Sequence, residues 1–140
     1  MHIWLDTIDL DCIKKADSLG ILFGVTTNPS ILSRAENPKK TIEQILKLQS
    51  GPVAVQVTSA EAQGMIEEAR SLFDFSEGRI IVKVPVTEQG LLAIKPLKKD
   101  HIPVMATTIL VSHQALLAKI LETDYIAPYF SHMENLGDAY

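Results

Sequence analysis

The chain has 140 residues, a formal net charge of -4, 46% hydrophobic and 21% charged side chains, the proportions of one folded domain and not of a disordered or fibrous chain. The acidic balance lacks the basic footprint of a nucleic-acid binder, and no apolar run approaches the roughly 20 residues of a membrane helix. A single cysteine, Cys12, permits no internal disulfide, and the start MHIWLDTIDLD lacks a signal peptide's basic and apolar regions, so a cytoplasmic location is expected.

Short apolar runs alternate with segments of helical period. The first run, Ile3–Leu5, is followed by Leu10, Ile13 and Ala16 at helical spacing, with Gly20 as the stop signal. The second run, Ile21–Val25, leads into Thr-Thr-Asn-Pro-Ser and then to Asn37-Pro38, a helix cap before a proline at the first helical position. Ile42, Ile45 and Leu46 continue that helix. After the run Val53–Val57, Thr58 and Glu61 have the spacing of a capping box ahead of Ala62, Met65, Ile66, Ala69, Leu72 and Phe73. The run Ile80–Val84 precedes a helix over Glu88–Lys99 capped by Thr87, in which Pro96 should introduce a kink or an early end. Pro103–Ala106 precedes a helix over His113–Leu121 capped by Ser112, and Tyr125–Ala127 is the sixth run. Runs this short and rich in Val, Ile and Leu are expected of strands buried on both faces of a parallel sheet. The reading is an α/β chain of βαβ units with no linker or domain boundary. A doubly wound sheet and a (β/α)8 barrel both fit this pattern. No G-x-G-x-x-G follows the first strand and no Walker-type loop occurs, which argues against a nucleotide site.

Alternation along a strand places residues two apart on one face. By that rule each run finishes on a polar side chain: Asp6, Thr26 with Asn28, Gln56, Lys83, Thr107, and Tyr125 with Tyr129. Ligands of parallel α/β folds bind at this C-terminal edge, so these side chains define a candidate pocket. Lys83 is the sharpest signal because it interrupts IIVKVPV, otherwise the most apolar strand. One reading is a lysine that snorkels from a strand end or pairs with Asp6. The other is a desolvated, neutral amine able to attack a carbonyl. The segment FGVTTNPSIL likewise reads either as a ligand edge suited to sugar hydroxyls or as a turn before a short helix. The four histidines, His2, His101, His113 and His132, have no metal-ligand spacing, and neither a metal nor another cofactor is expected.

FGVTTNPSIL after the second run, IIVKVPVTEQGLLAIK around the fourth, IPVMATTIL at the fifth and YIAPYF at the sixth together resemble the transaldolase and fructose-6-phosphate aldolase family over essentially the whole chain. The resemblance implies a (β/α)8 TIM barrel of the class I aldolase type, needing no metal, and assembly into a homo-oligomer. It implies that Lys83 is the Schiff-base lysine and that Asp6 holds substrate hydroxyls and aids proton transfer. Asn28, with Thr26 beside it, would bind substrate and help place the lysine, and Gln56, Thr107 and Tyr129 would hold a catalytic water. Glu and Phe are typical of true transaldolases at the Gln56 and Tyr129 positions, so this pair resembles the aldolase branch. The implied reaction is the cleavage or formation of fructose 6-phosphate from dihydroxyacetone and glyceraldehyde 3-phosphate. The alternatives are a transaldolase passing a dihydroxyacetone unit between sugar phosphates, or an inactive truncated relative. The partner is a small sugar or sugar phosphate, with no nucleic acid and no membrane.

His132 and Pro96 depart from the family pattern, Pro96 with consequences for helix packing only, and the length is short for the implied barrel. His132 stands where an arginine phosphate ligand is usual, and histidine lacks the bidentate fork and carries full charge less often at neutral pH. A (β/α)8 barrel usually needs about 200 residues or more. The expectation is therefore a single domain over residues 1–140, a barrel truncated after about six strands.

Overall fold

The computed structural model describes residues 1–130. In chain order these form β1 (Ile3–Asp6), α1 (Leu10–Ser18), β2 (Leu22–Thr26), α2 (Pro29–Leu32), α3 (Pro38–Leu48), β3 (Val53–Gln56), α4 (Ala62–Phe75), β4 (Ile80–Pro85), α5 (Glu88–Lys99), β5 (Val104–Ile109), α6 (Ser112–Ile120) and β6 (Tyr125–Pro128). All neighbouring strands pair in parallel, in the order β1-β2-β3-β4-β5-β6. A doubly wound sheet reverses its strand order at a switch point. This sheet does not, which decides between the two architectures the sequence left open.

The sheet is curled. Trp4 and Tyr125 stand on its first and last strands, yet their rings meet edge to face with centroids 5.7 Å apart. Five strand spacings in a flat sheet would separate those strands by about 24 Å. Gly24 makes room for this contact, because a Cβ there would lie 2.6 Å from the Trp4 ring. The two faces of the sheet have different cores. Val25, Val53, Val55, Val82 and Val104 pack outward against Ile13, Ile45, Met65, Ile94 and Leu97 of the helices. Ala54, Ile81 and Met105 point inward with Trp4, Tyr125 and Ala127. This is the barrel arrangement of the α/β class, helices outside and side chains filling the concave face.

Several helix starts follow from local chemistry. Asn37 accepts from the Lys40 amide at 3.0 Å and Thr87 from the Gly90 amide at 3.1 Å, as their positions predict. Three expectations are corrected. The Thr58–Glu61 capping box does not form, because α4 begins too late for Thr58 to reach its first turn. Thr58 instead bonds the Glu68 carboxylate through its amide at 2.6 Å, and the Ala62 amide donates to Gln89 Oε1 of α5 at 3.0 Å. The cap of α6 falls on Val111 and not on Ser112. There the Gln114 side chain accepts from the Leu110 and Val111 amides at 2.7 and 3.1 Å. Pro96 does not shorten α5, which runs on to Lys99. Its missing N–H removes the partner of the carbonyl of Leu92, an exposed residue where water can substitute, and the Asp100 amide resumes the pattern on Pro96 O at 3.0 Å. No helix among the described residues is long and apolar enough to cross a membrane.

Candidate active site

The pairing register places most of the predicted polar side chains on the concave face. Asp6 lies opposite Thr26, Gln56 opposite Lys83, and Thr107 opposite Ala127. Each stands two residues toward the C-terminal end from an inward apolar neighbour: Trp4 before Asp6, Ala54 before Gln56, Ile81 before Lys83 and Met105 before Thr107. A polar layer therefore rests on an apolar floor, at the rim where barrels carry their sites.

Lys83 is at the centre of this layer, with a relative exposure of 5%. Its Nζ donates to the backbone carbonyl of Thr27 at 2.7 Å. Burial pushes its ammonium below the usual lysine value of 10.5, and the charge of Asp6 only partly opposes that shift. Lys83 and Asp6 make no ion pair; the ion pairs among the described residues are Arg70–Asp100 and Lys98–Asp124. Asp6 is itself exposed and accepts from Thr26 Oγ1 at 2.8 Å. The snorkelling and ion-pair readings of Lys83 are thus both corrected. Its amine is desolvated and is held by a neutral acceptor.

Gln56 Oε1 and Thr107 Oγ1 are buried and have no hydrogen-bond partner among the described residues. Leaving such an atom unpaired costs about 1–3 kcal/mol, so each demands an explanation. Both lie on the concave face, where a water molecule or a substrate hydroxyl would satisfy them. Thr107 is followed by a register shift in which Thr108 takes φ = 59°. A β-branched residue in the left-handed region is strained, and bulges of this kind re-aim side chains beside functional sites.

Asn28 caps α2, its Oδ1 accepting from the Ile31 amide at 2.9 Å. Tyr129 lies one residue beyond β6, 37% exposed, with its amide donating to Ile109 O at 2.9 Å. His132 falls outside the described residues. The sequence reading missed Thr27. Its side chain departs from the Thr26–Asn28 face, and the group that meets Lys83 is a backbone carbonyl, which no side-chain pattern reveals. The signal available was its place in the run Thr-Thr-Asn-Pro, where the chain leaves β2 beside Lys83.

Six curled parallel strands with helices on the convex side, and a desolvated lysine amid polar strand ends, define a half-barrel of the α/β class. The comparisons narrow this class. The model of the Transaldolase/Fructose-6-phosphate aldolase family matches residues 3–140. A "Probable transaldolase" of Thermoplasma acidophilum is 41% identical over 142 residues, covering 99% of this chain and 63% of the relative. Those of Nitrosopumilus maritimus and Aquifex aeolicus are each 39% identical over 138 residues, covering 98% of this chain and 62% and 63% of the relatives. The chain belongs to the transaldolase/fructose-6-phosphate aldolase family. It spans a little under two thirds of the length of these curated relatives.

Proposed function

We propose that the protein performs class I aldolase chemistry, with Lys83 forming a Schiff base with a ketose, and that it cleaves or forms fructose 6-phosphate. The observation that carries this reading is a lysine in the polar rim whose burial favours the neutral amine, the nucleophilic form. The amine attacks the ketone carbon, and loss of water leaves a protonated imine. This withdraws electrons from the neighbouring carbon-carbon bond, which breaks to release the aldehyde and leave an enamine. Asp6, oriented by Thr26, receives substrate hydroxyls, and Asn28 contributes beside them. Proton transfer passes through a water held by the unpaired Gln56 Oε1 and Thr107 Oγ1, with the Tyr129 hydroxyl as the third partner.

The substrate class is a small sugar or sugar phosphate. With His132 in place of an arginine, a non-phosphorylated donor such as dihydroxyacetone is favoured. The second reading is a transferase that passes the dihydroxyacetone unit to an acceptor aldose, supported by the name that the relatives carry. Gln56 with Tyr129 supports the aldolase.

Borohydride reduction in the presence of dihydroxyacetone should leave a stable adduct on Lys83, and Lys83→Ala should abolish it without unfolding the chain. A folded wild-type sample that yields no adduct refutes the Schiff-base reading. Release of free dihydroxyacetone from fructose 6-phosphate without an acceptor identifies the aldolase; sustained release of glyceraldehyde 3-phosphate only with an acceptor aldose, and without free dihydroxyacetone, identifies the transferase.

A further inference from the structure

The peptide unit that meets Lys83 is pinned from both sides. Thr27 is wholly buried, and its amide and its hydroxyl both donate to Ala54 O, each at 2.9 Å. The next residue, Asn28, is tied to α2 through the Ile31 amide. The carbonyl between them is therefore fixed in position before any substrate arrives, and Lys83 Nζ lies 2.7 Å from it, within the range of charge-assisted hydrogen bonds. A clamped backbone dipole needs no reorganisation during a reaction, the property that makes such groups effective in catalysis.

Schiff-base formation gives this contact a second use. The Nζ lone pair forms the bond to the ketone carbon, and the carbonyl π pair moves to oxygen. That oxygen leaves as water, carrying one proton from Nζ and one from solvent. Nζ keeps one proton and the positive charge of the iminium. We propose that the Thr27 carbonyl, clamped by the Thr27 hydroxyl and amide to Ala54 O, holds Lys83 Nζ in the free protein and accepts the one N–H left on the iminium. Thr27 is thus a positioning residue for the Schiff base. This proposal rests on the Schiff-base reading of Lys83.

The test compares Thr27→Val, which removes the hydroxyl clamp at similar shape, with Thr27→Ser, which keeps it. Two readouts are needed. One is the pH dependence with which acetic anhydride acetylates Lys83, followed by peptide mass spectrometry. The other is the rate of borohydride trapping with dihydroxyacetone. A loosened carbonyl stabilises the ammonium less, so Thr27→Val should move the acetylation midpoint to lower pH. Its aim at the ketone also worsens, so trapping should slow by about tenfold or more. Faster acetylation at neutral pH with slower trapping is a divergence that general loosening of the fold does not produce, and Thr27→Ser should restore both. An unmoved midpoint with trapping within roughly twofold of wild type would overturn the proposal, as would a parallel fall of both rates. Should Thr27→Val fail to fold, an ester in place of the Thr27–Asn28 amide weakens the same acceptor and carries the same expectations. Absence of a wild-type adduct would refute the Schiff-base reading alone. The acetylation midpoint would then decide whether Thr27 holds Nζ, a shift supporting it and no shift overturning it.

Discussion

Replacing Lys83 by methionine separates the stability of the fold from the chemistry of its site. Methionine is unbranched and adaptable, so it occupies the lysine stem's space without a charge. In the native protein burial lowers the lysine's affinity for its proton, whereas the unfolded chain binds that proton with the ordinary value of 10.5. Below the native value both states are protonated, and the folded state bears the whole cost of a buried ammonium. Between the native value and 10.5 only the unfolded state holds the proton. Wild-type stability should therefore rise with pH across that window, by up to about 1.4 kcal/mol per pH unit. Methionine removes this dependence together with the bond to Thr27 O, a loss of about 1 kcal/mol. Lys83→Met is expected to be more stable than wild type at pH 6, with its advantage shrinking through the alkaline range. Above 10.5 it should be less stable, by about the value of the lost hydrogen bond. Urea denaturation of both proteins from pH 6 to 11 measures this. A stability difference that stays constant over the whole range would refute the desolvated lysine on which the site depends.

Gly24→Ala should destabilise the fold by about 2 kcal/mol in the same assay, because its Cβ would meet the Trp4 ring at 2.6 Å and Pro52 O at 2.7 Å; an unchanged midpoint would mean that Trp4 does not lie over β2. Thr108→Gly should stabilise by about 1 kcal/mol by relieving a β-branched residue at φ = 59°, while slowing any reaction that needs Thr107 held in place. Arg79→Met should destabilise by about 2 kcal/mol, since Arg79 donates to Leu46 O, Gln49 O and Gly51 O at 2.6, 2.6 and 2.9 Å. Thermal unfolding measures this, and an unchanged midpoint would mean that Arg79 does not hold those carbonyls.

The fold was legible wherever one local preference dominated. Alternation and β-branching placed each strand to within a few residues, and Asn37 and Thr87 marked helix starts because their side chains reach amides three residues on. Competing partners hid the rest. Thr58 was drawn to Glu68, and Gln114, a residue inside the first turn of α6, took over the cap expected of Ser112. β5 runs to Ile109 and not to Ala106, because a bulge at Thr108 lets pairing continue past the apolar run. The placement of Asp6, Thr26, Gln56, Lys83 and Thr107 at neighbouring strand ends was readable from same-face spacing alone. Thr27 was not, since its contribution is a carbonyl whose neighbour lies 56 residues away in sequence.

The two rims of the sheet differ in how their polar groups are satisfied. At the N-terminal ends of the strands, hydrogen bonds are doubled and redoubled. Arg79, just before β4, caps three carbonyls leading into β3, and Ser76 Oγ accepts from the Ile80 amide at 2.9 Å. Asp124, just before β6, takes both Lys98 Nζ and the Val104 amide that opens β5. At the opposite ends the fold accepts costs: a desolvated lysine on β4, and buried oxygens on β3 and β5 with no partner among the described residues. Stability alone would select against each of these, and Gln56, Lys83 and Thr107 share the concave face of one rim. Local rules are broken where function requires it, and the remaining structure must supply the compensation. The N-terminal rim supplies it here, and so losses at Arg79 should be felt as stability, whereas losses at Thr107 or Thr27 should be felt as chemistry.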